Sequence, residues 1–146
     1  MIRTASGTFE VTLEPLAFEA SDPAWRLARR GIGKRLSGDV QGSSRGQMLS
    51  AMGDTPGSAG YVAIEHVTAT LHGRAGGFVL QHSGVMDRGQ STLQVQVVPD
   101  SGSGALLGLR GCFEIRIADG VHAYTFEYSL PGDGDGQAAG PGSGSA

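Results

Sequence analysis

The stretch Gly60–Gly84, GYVAIEHVTATLHGRAGGFVLQHSG, decides the fold. Two alternating runs flank His72-Gly73, a two-residue turn signal, which predicts a β-hairpin. With those residues as the loop, Leu71 stands opposite Arg74, Ala69 opposite Gly76, Val67 opposite Phe78, Glu65 opposite Leu80 and Ala63 opposite His82. Side chains alternate with period two, so opposed residues share a face. One face then carries Tyr61, Ala63, Glu65, Val67 and Ala69 with Gly76, Phe78, Leu80, His82 and Gly84. Glu65 and His82 become diagonal neighbours on it, an acid and an imidazole among apolar groups, with Cα atoms about 7–8 Å apart. A loop one residue longer would turn one strand over and separate them.

Outward from the hairpin, the chain reads as more short strands. Gly7–Phe18 alternates Phe9, Val11 and Leu13 against Thr8, Glu10, Thr12 and Glu14, and should end or bulge near Pro15, which cannot donate to a ladder. Ser21–Leu36 carries mixed signals. Asp22-Pro23 and the spacing of Trp25, Ala28, Ile32 and Leu36 suit a helix, whereas Gly31 and Gly33 would each cost about 1 kcal/mol inside one. A strand from Trp25 to Ser37 is the better reading. Its basic residues, Arg26, Arg29, Arg30, Lys34 and Arg35, suggest a solvated face or edge protection, with an anion-binding patch as the alternative. Gly38-Asp39 marks a turn, Gln41–Met52 a strand, and Gly53–Gly60 a loop.

After the central hairpin, Asp87-Arg88-Gly89 turns the chain and Thr92–Val98 alternates again. Pro99–Gly104 is a second long turn. Asp119-Gly120 is a type I′ signal that sets Ile117 against His122, Ile115 against Tyr124 and Phe113 against Phe126. One face there collects Phe113, Ile115, Ile117, His122, Tyr124, Phe126, Tyr128 and Leu130; Cys112, Glu114 and Arg116 lie on the other, a division suited to a half-solvated sheet. From Pro131 to Ala146 no large apolar residue occurs, which predicts a disordered tail behind a domain of residues 1–130. About eight strands joined by tight turns predict an all-β, eight-stranded antiparallel barrel, since closure removes the sheet edges.

Composition sets bounds on function. The 25 glycines among 146 residues fit many turns. A net charge of −3 gives no electrostatic case for nucleic acid. Cys112 is the single cysteine, so neither an intrachain disulfide nor a cysteine metal cluster is expected, and no His/Cys/Asp/Glu spacing suggests a metal or other cofactor. MIRTASGTFE has no apolar signal core, and no run nears the roughly 20 apolar residues of a membrane span. A cytoplasmic protein is the expectation.

The runs SGDVQGSS, YVAIEHVTATLHGRAGGFVLQHSG and VVPDSGSGALLGLRG resemble a bacterial family of unknown function whose structures are similar to allene oxide cyclase, an eight-stranded calycin-like barrel. SGSGALLGLRG is also similar to the glycine-rich turn of allene oxide cyclases and dirigent proteins. The resemblance spans Gly7 to about Leu130, and His66 departs from the arginine more frequent in relatives. It implies the barrel and a homo-oligomer, a dimer or trimer; activity it leaves open, because cyclases and non-catalytic dirigent proteins share the fold.

Glu65 is the candidate acid or base with His82 its partner; a buried carboxylate must be paired, hydrogen-bonded or neutral. The functional reading expects a raised Glu65 pKa. The structural reading expects a network, with Arg110 or Gln81 as a partner. Tyr61, Phe78, Leu80, Phe113, Tyr124, Phe126 and Tyr128 are the candidate ligand contacts, although aromatic sets form plain core more often. His72 falls in a turn, His122 is expected at an exposed strand start, and Cys112 lacks a neighbouring base. Three functions stay open: a barrel binding a small hydrophobic molecule, an isomerase or cyclase acting by confinement, and an interaction protein with a filled lumen.

Overall fold

In a computed structural model of the chain, which describes residues 1–19 and 22–132, eight strands form a closed antiparallel barrel in sequence order. They are β1 (Arg3–Leu16), β2 (Leu27–Gly38), β3 (Val40–Met52), β4 (Ala59–Leu71), β5 (Arg74–Asp87), β6 (Gln90–Val97), β7 (Arg110–Ala118) and β8 (Val121–Ser129). β1 pairs with both β2 and β8, and the second pairing closes the barrel.

The central hairpin has the register that its two-residue loop demands, from Leu71 opposite Arg74 to Ala63 opposite His82. His72 and Gly73 both have positive φ, 46° and 83°, as a type I′ turn requires. Asp119-Gly120 repeats this at the β7–β8 turn. Elsewhere the boundaries move. β1 starts at Arg3, four residues before Gly7, because Arg3–Phe9 lies along β8, a long-range pairing that local alternation does not encode. It runs past Pro15 to Leu16. The helical signals after Ser21 were real for one turn: Pro23–Trp25 is 3₁₀, capped by the Asp22 carboxylate accepting from the Ala24 N–H, and the strand begins only at Leu27. The expected tail falls, from residue 133 onward, outside the described residues.

The two ends of the barrel differ. At one end, Val98–Leu109 leaves β6 and folds back onto β5. The Ser103 N–H donates to the Gly77 carbonyl, and the Gly77 and Val79 N–H groups donate to Ser103 Oγ and Ser101 Oγ. This approach needs Gly76, where a Cβ would stand 2.1 Å from the Ser103 carbonyl oxygen. The segment carries Leu106 and Leu109 into the barrel, where both are fully buried near Leu71, Val97, Phe126 and Tyr128. At the other end, Leu13, Leu93 and Ile117 occupy positions in register with the buried inner residues Ile32, Val95 and Phe113, yet each is exposed. That end stands open.

The wall is uneven as well. β6 and β7 share only the pairs Val95–Phe113 and Gln96–Cys112, although β6 stays paired to β5 back to Gln90 and β7 to β8 up to Ala118. Beyond Val95–Phe113 the two strands part toward the open end. No helix among the described residues is long and apolar enough to cross a membrane.

Candidate functional site

Alternation turns Glu65 inward between Ala63 and Val67, all three buried. His82 is inward by the same rule on β5, and Ser44 on β3. Lys34, expected on a solvated face with the other basic residues, is inward too, because it shares parity with the buried Ile32 and Leu36. The side chains of Lys34, Glu65 and His82 are 8%, 0% and 5% exposed. Lys34 Nζ donates to Glu65 Oε1 at 2.8 Å, and Ser44 Oγ donates to Oε2. His82 Nε2 lies 2.5 Å from Oε1. The Lys34 ammonium also stands 4.7 Å over the Phe9 ring, a cation–π contact.

This cluster reverses the expected electrostatics of Glu65. Burial pushes its carboxyl up, but the hydrogen bond from His82, the charge and hydrogen bond of Lys34 and the Ser44 hydroxyl together outweigh burial and hold the pKa at about 2. Glu65 is therefore a fixed anion at neutral pH. Its partners are also not those expected: Arg110 and Gln81 are exposed, and the charge that matters comes from β2. Sequence inspection missed Lys34 because it was grouped with four arginines; the period-two alternation of Ile32, Lys34 and Leu36 was the signal that could have singled it out.

With Glu65 ionised, His82 must donate through Nε2. Its Nδ1 has no hydrogen-bond partner among the described residues. Tyr61 lies beside it, ring centroids 6.3 Å apart. Tyr61 crosses Gly84, where a Cβ would meet the ring at 2.4 Å. Burial, then the Glu65 charge, pushes the Tyr61 phenol up.

The aromatic candidates occupy the deeper barrel. Phe113 stacks on Phe126 at 4.1 Å, and Phe126 stacks on Phe78 and Tyr128 at 6.0 and 5.2 Å. Leu80 is buried with them. The Tyr124 hydroxyl accepts from the Val40 N–H and lies within hydrogen-bonding reach of the Ser37 and Val40 carbonyls, which ties the β2–β3 turn to β8. His72 reaches the Tyr128 hydroxyl through Nδ1 at 2.5 Å. His122 is half-buried rather than exposed, because Phe9 packs 5.2 Å from it.

Where β6 and β7 part, a cleft of about 350 Å³ opens, lined by Leu93, Val95, Phe113 and Ile115 from inner positions and by Gln94, Cys112, Glu114, Thr125 and Glu127 from outer ones. Sequence reasoning named only Phe113 of its apolar lining. The cleft arises from strand divergence, which local patterns do not report. The ladder row runs Ala63–His82–Val95–Phe113, so Val95 is shared between the cleft and the flank of His82.

A family model described as a protein of unknown function, DUF3224, matches residues 5–128. The chain belongs to this family. A crystal structure of a DUF3224 protein of unknown function from Shewanella oneidensis MR-1 is similar to it, with 44% identity, a TM-score of 0.86, and coverage of 89% of this chain and 98% of that one. No curated protein matches the chain. The DUF3224 match includes Lys34, Ser44, Glu65, His82 and the whole cleft lining.

Proposed function

We propose that this DUF3224 barrel binds a small, largely apolar molecule, which enters between β6 and β7 at the open end. The β6–β7 cleft carries the reading: its volume of about 350 Å³ falls within the roughly 300–1,000 Å³ of small-molecule sites. Its inner wall is apolar, and the exposed Leu93 offers surface that a ligand would cover. The isomerase reading has less support. A carboxylate held at about 2 neither donates nor readily accepts a proton near neutral pH, so Glu65 serves to anchor His82 and Lys34.

The test is titration with N-phenyl-1-naphthylamine, a neutral fluorophore that brightens in apolar surroundings. Saturable binding at one site per chain is expected, weakened at least about tenfold by Ile115→Trp, which fills the cleft. Unchanged binding to a folded Ile115→Trp variant would contradict the assignment.

A further inference from the structure

The reading above leaves the polar part of the ligand unspecified, and His82 supplies it. Three donors converge on Glu65, from Lys34, Ser44 and His82. Such a carboxylate accepts from His82 Nε2–H, and in the neutral ring that places the imidazole lone pair on Nδ1. The ring is 95% buried, 5% of the side chain being exposed. A buried acceptor without a partner is unfavourable, so this nitrogen gains from any donor brought to it. Among the described residues none is.

The position also lies beside the cleft, one strand in from its lining. Val95 is paired directly with His82 on one side and with Phe113 on the other. Neighbouring strands lie about 4.8 Å apart, so a molecule lying on Val95 and Phe113 has its inner end about one strand spacing from His82. Tyr61 is the group beside the imidazole at the open end. It is half-buried, and its ring rests against Gly84, which has no side chain to hold it there.

We infer that His82 Nδ1 accepts a hydrogen bond from the ligand, so that the ligand class is an apolar molecule bearing a hydroxyl, an alcohol, phenol or enol. Glu65 and Lys34 are positioning residues in this arrangement: they fix the ring and its Nε2–H tautomer and do not touch the ligand. The inference rests on the cleft being the binding site.

A matched pair of probes tests it. 2-Naphthol and 2-methoxynaphthalene differ by the one donor hydrogen, and each is used to displace N-phenyl-1-naphthylamine from the full chain. In the wild type 2-naphthol should displace the fluorophore at about tenfold lower concentration than the ether, the worth of one hydrogen bond. His82→Phe should abolish that preference. Since this variant removes a Glu65 partner and its folding is at risk, ¹⁵N NMR of the wild-type imidazole gives a second readout. The free protein should show Nε2 protonated and Nδ1 bare, and 2-naphthol should move the Nδ1 resonance upfield where the ether does not. Equal displacement by both probes leaves the cleft standing and overturns the role of His82. So does an Nδ1–H tautomer, or a preference that survives His82→Phe. Displacement by neither probe overturns both readings.

Discussion

At one end of the barrel, Leu71, Leu106, Leu109, Phe126 and Tyr128 leave no inner side chain exposed, and the chain closes over them by hydrogen-bonding Ser101 and Ser103 to β5. Toward the other, β2 to β5 carry Lys34, Ser44, Glu65 and His82 inward beneath exposed Leu13, Leu93 and Ile117. The sealed end is stabilised as ordinary cores are, by apolar burial and ring stacking. A cluster of charged groups is a poor way to gain stability, since desolvation cancels much of the attraction. The difference teaches where the fold departs from plain packing, and that is where a ligand is to be sought.

The largest test of this contrast is acid stability. Glu65 falls from an ordinary value near 4.5 to about 2 in the folded protein. A lowered folded pKa contributes stability that is fully present above the unfolded value and lost as pH falls toward the folded one. Between about pH 5 and pH 2 the protein should therefore lose about 3 kcal/mol from this group alone. Urea unfolding of wild type and Glu65→Gln across that range checks it. The variant should be less stable at pH 7 and show a flatter acid limb; parallel limbs would mean the open end is not held by this anion.

A smaller effect separates the ends by one substitution made twice. Gly76→Ala drives a Cβ to 2.1 Å from the Ser103 carbonyl oxygen, backbone that cannot yield without moving the seal. Gly84→Ala meets the Tyr61 ring at 2.4 Å, a side chain with solvent beside it. The first should cost about 3 kcal/mol and the second about 1, measured by denaturant midpoint. Equal losses would show Tyr61 to be as fixed as the seal.

Much of the barrel was legible in local signals. His72-Gly73 and Asp119-Gly120 set two hairpins in register, and the first of these registers by itself puts Glu65 and His82 together. What was not legible depended on contacts distant in sequence. Arg3–Phe9 is a strand because β8 lies beside it. Lys34 turns inward by local alternation, but its partner is set at long range, because β3 pairs with both β2 and β4 and the ammonium reaches across it to Glu65. The parting of β6 from β7 lies in a pairing between strands, and no residue within either strand announces it. The aromatic face was read correctly as inward, but its rings lie against one another, so the open space had to be found in the structure.

The most direct measurement is methyl ¹H–¹³C NMR of the leucine, isoleucine and valine side chains during titration with N-phenyl-1-naphthylamine. Shifts should appear at Leu93, Val95 and Ile115, with Leu71, Leu106 and Leu109 unmoved. Shifts led by the sealed-end leucines, or spread evenly over the barrel, would contradict the account.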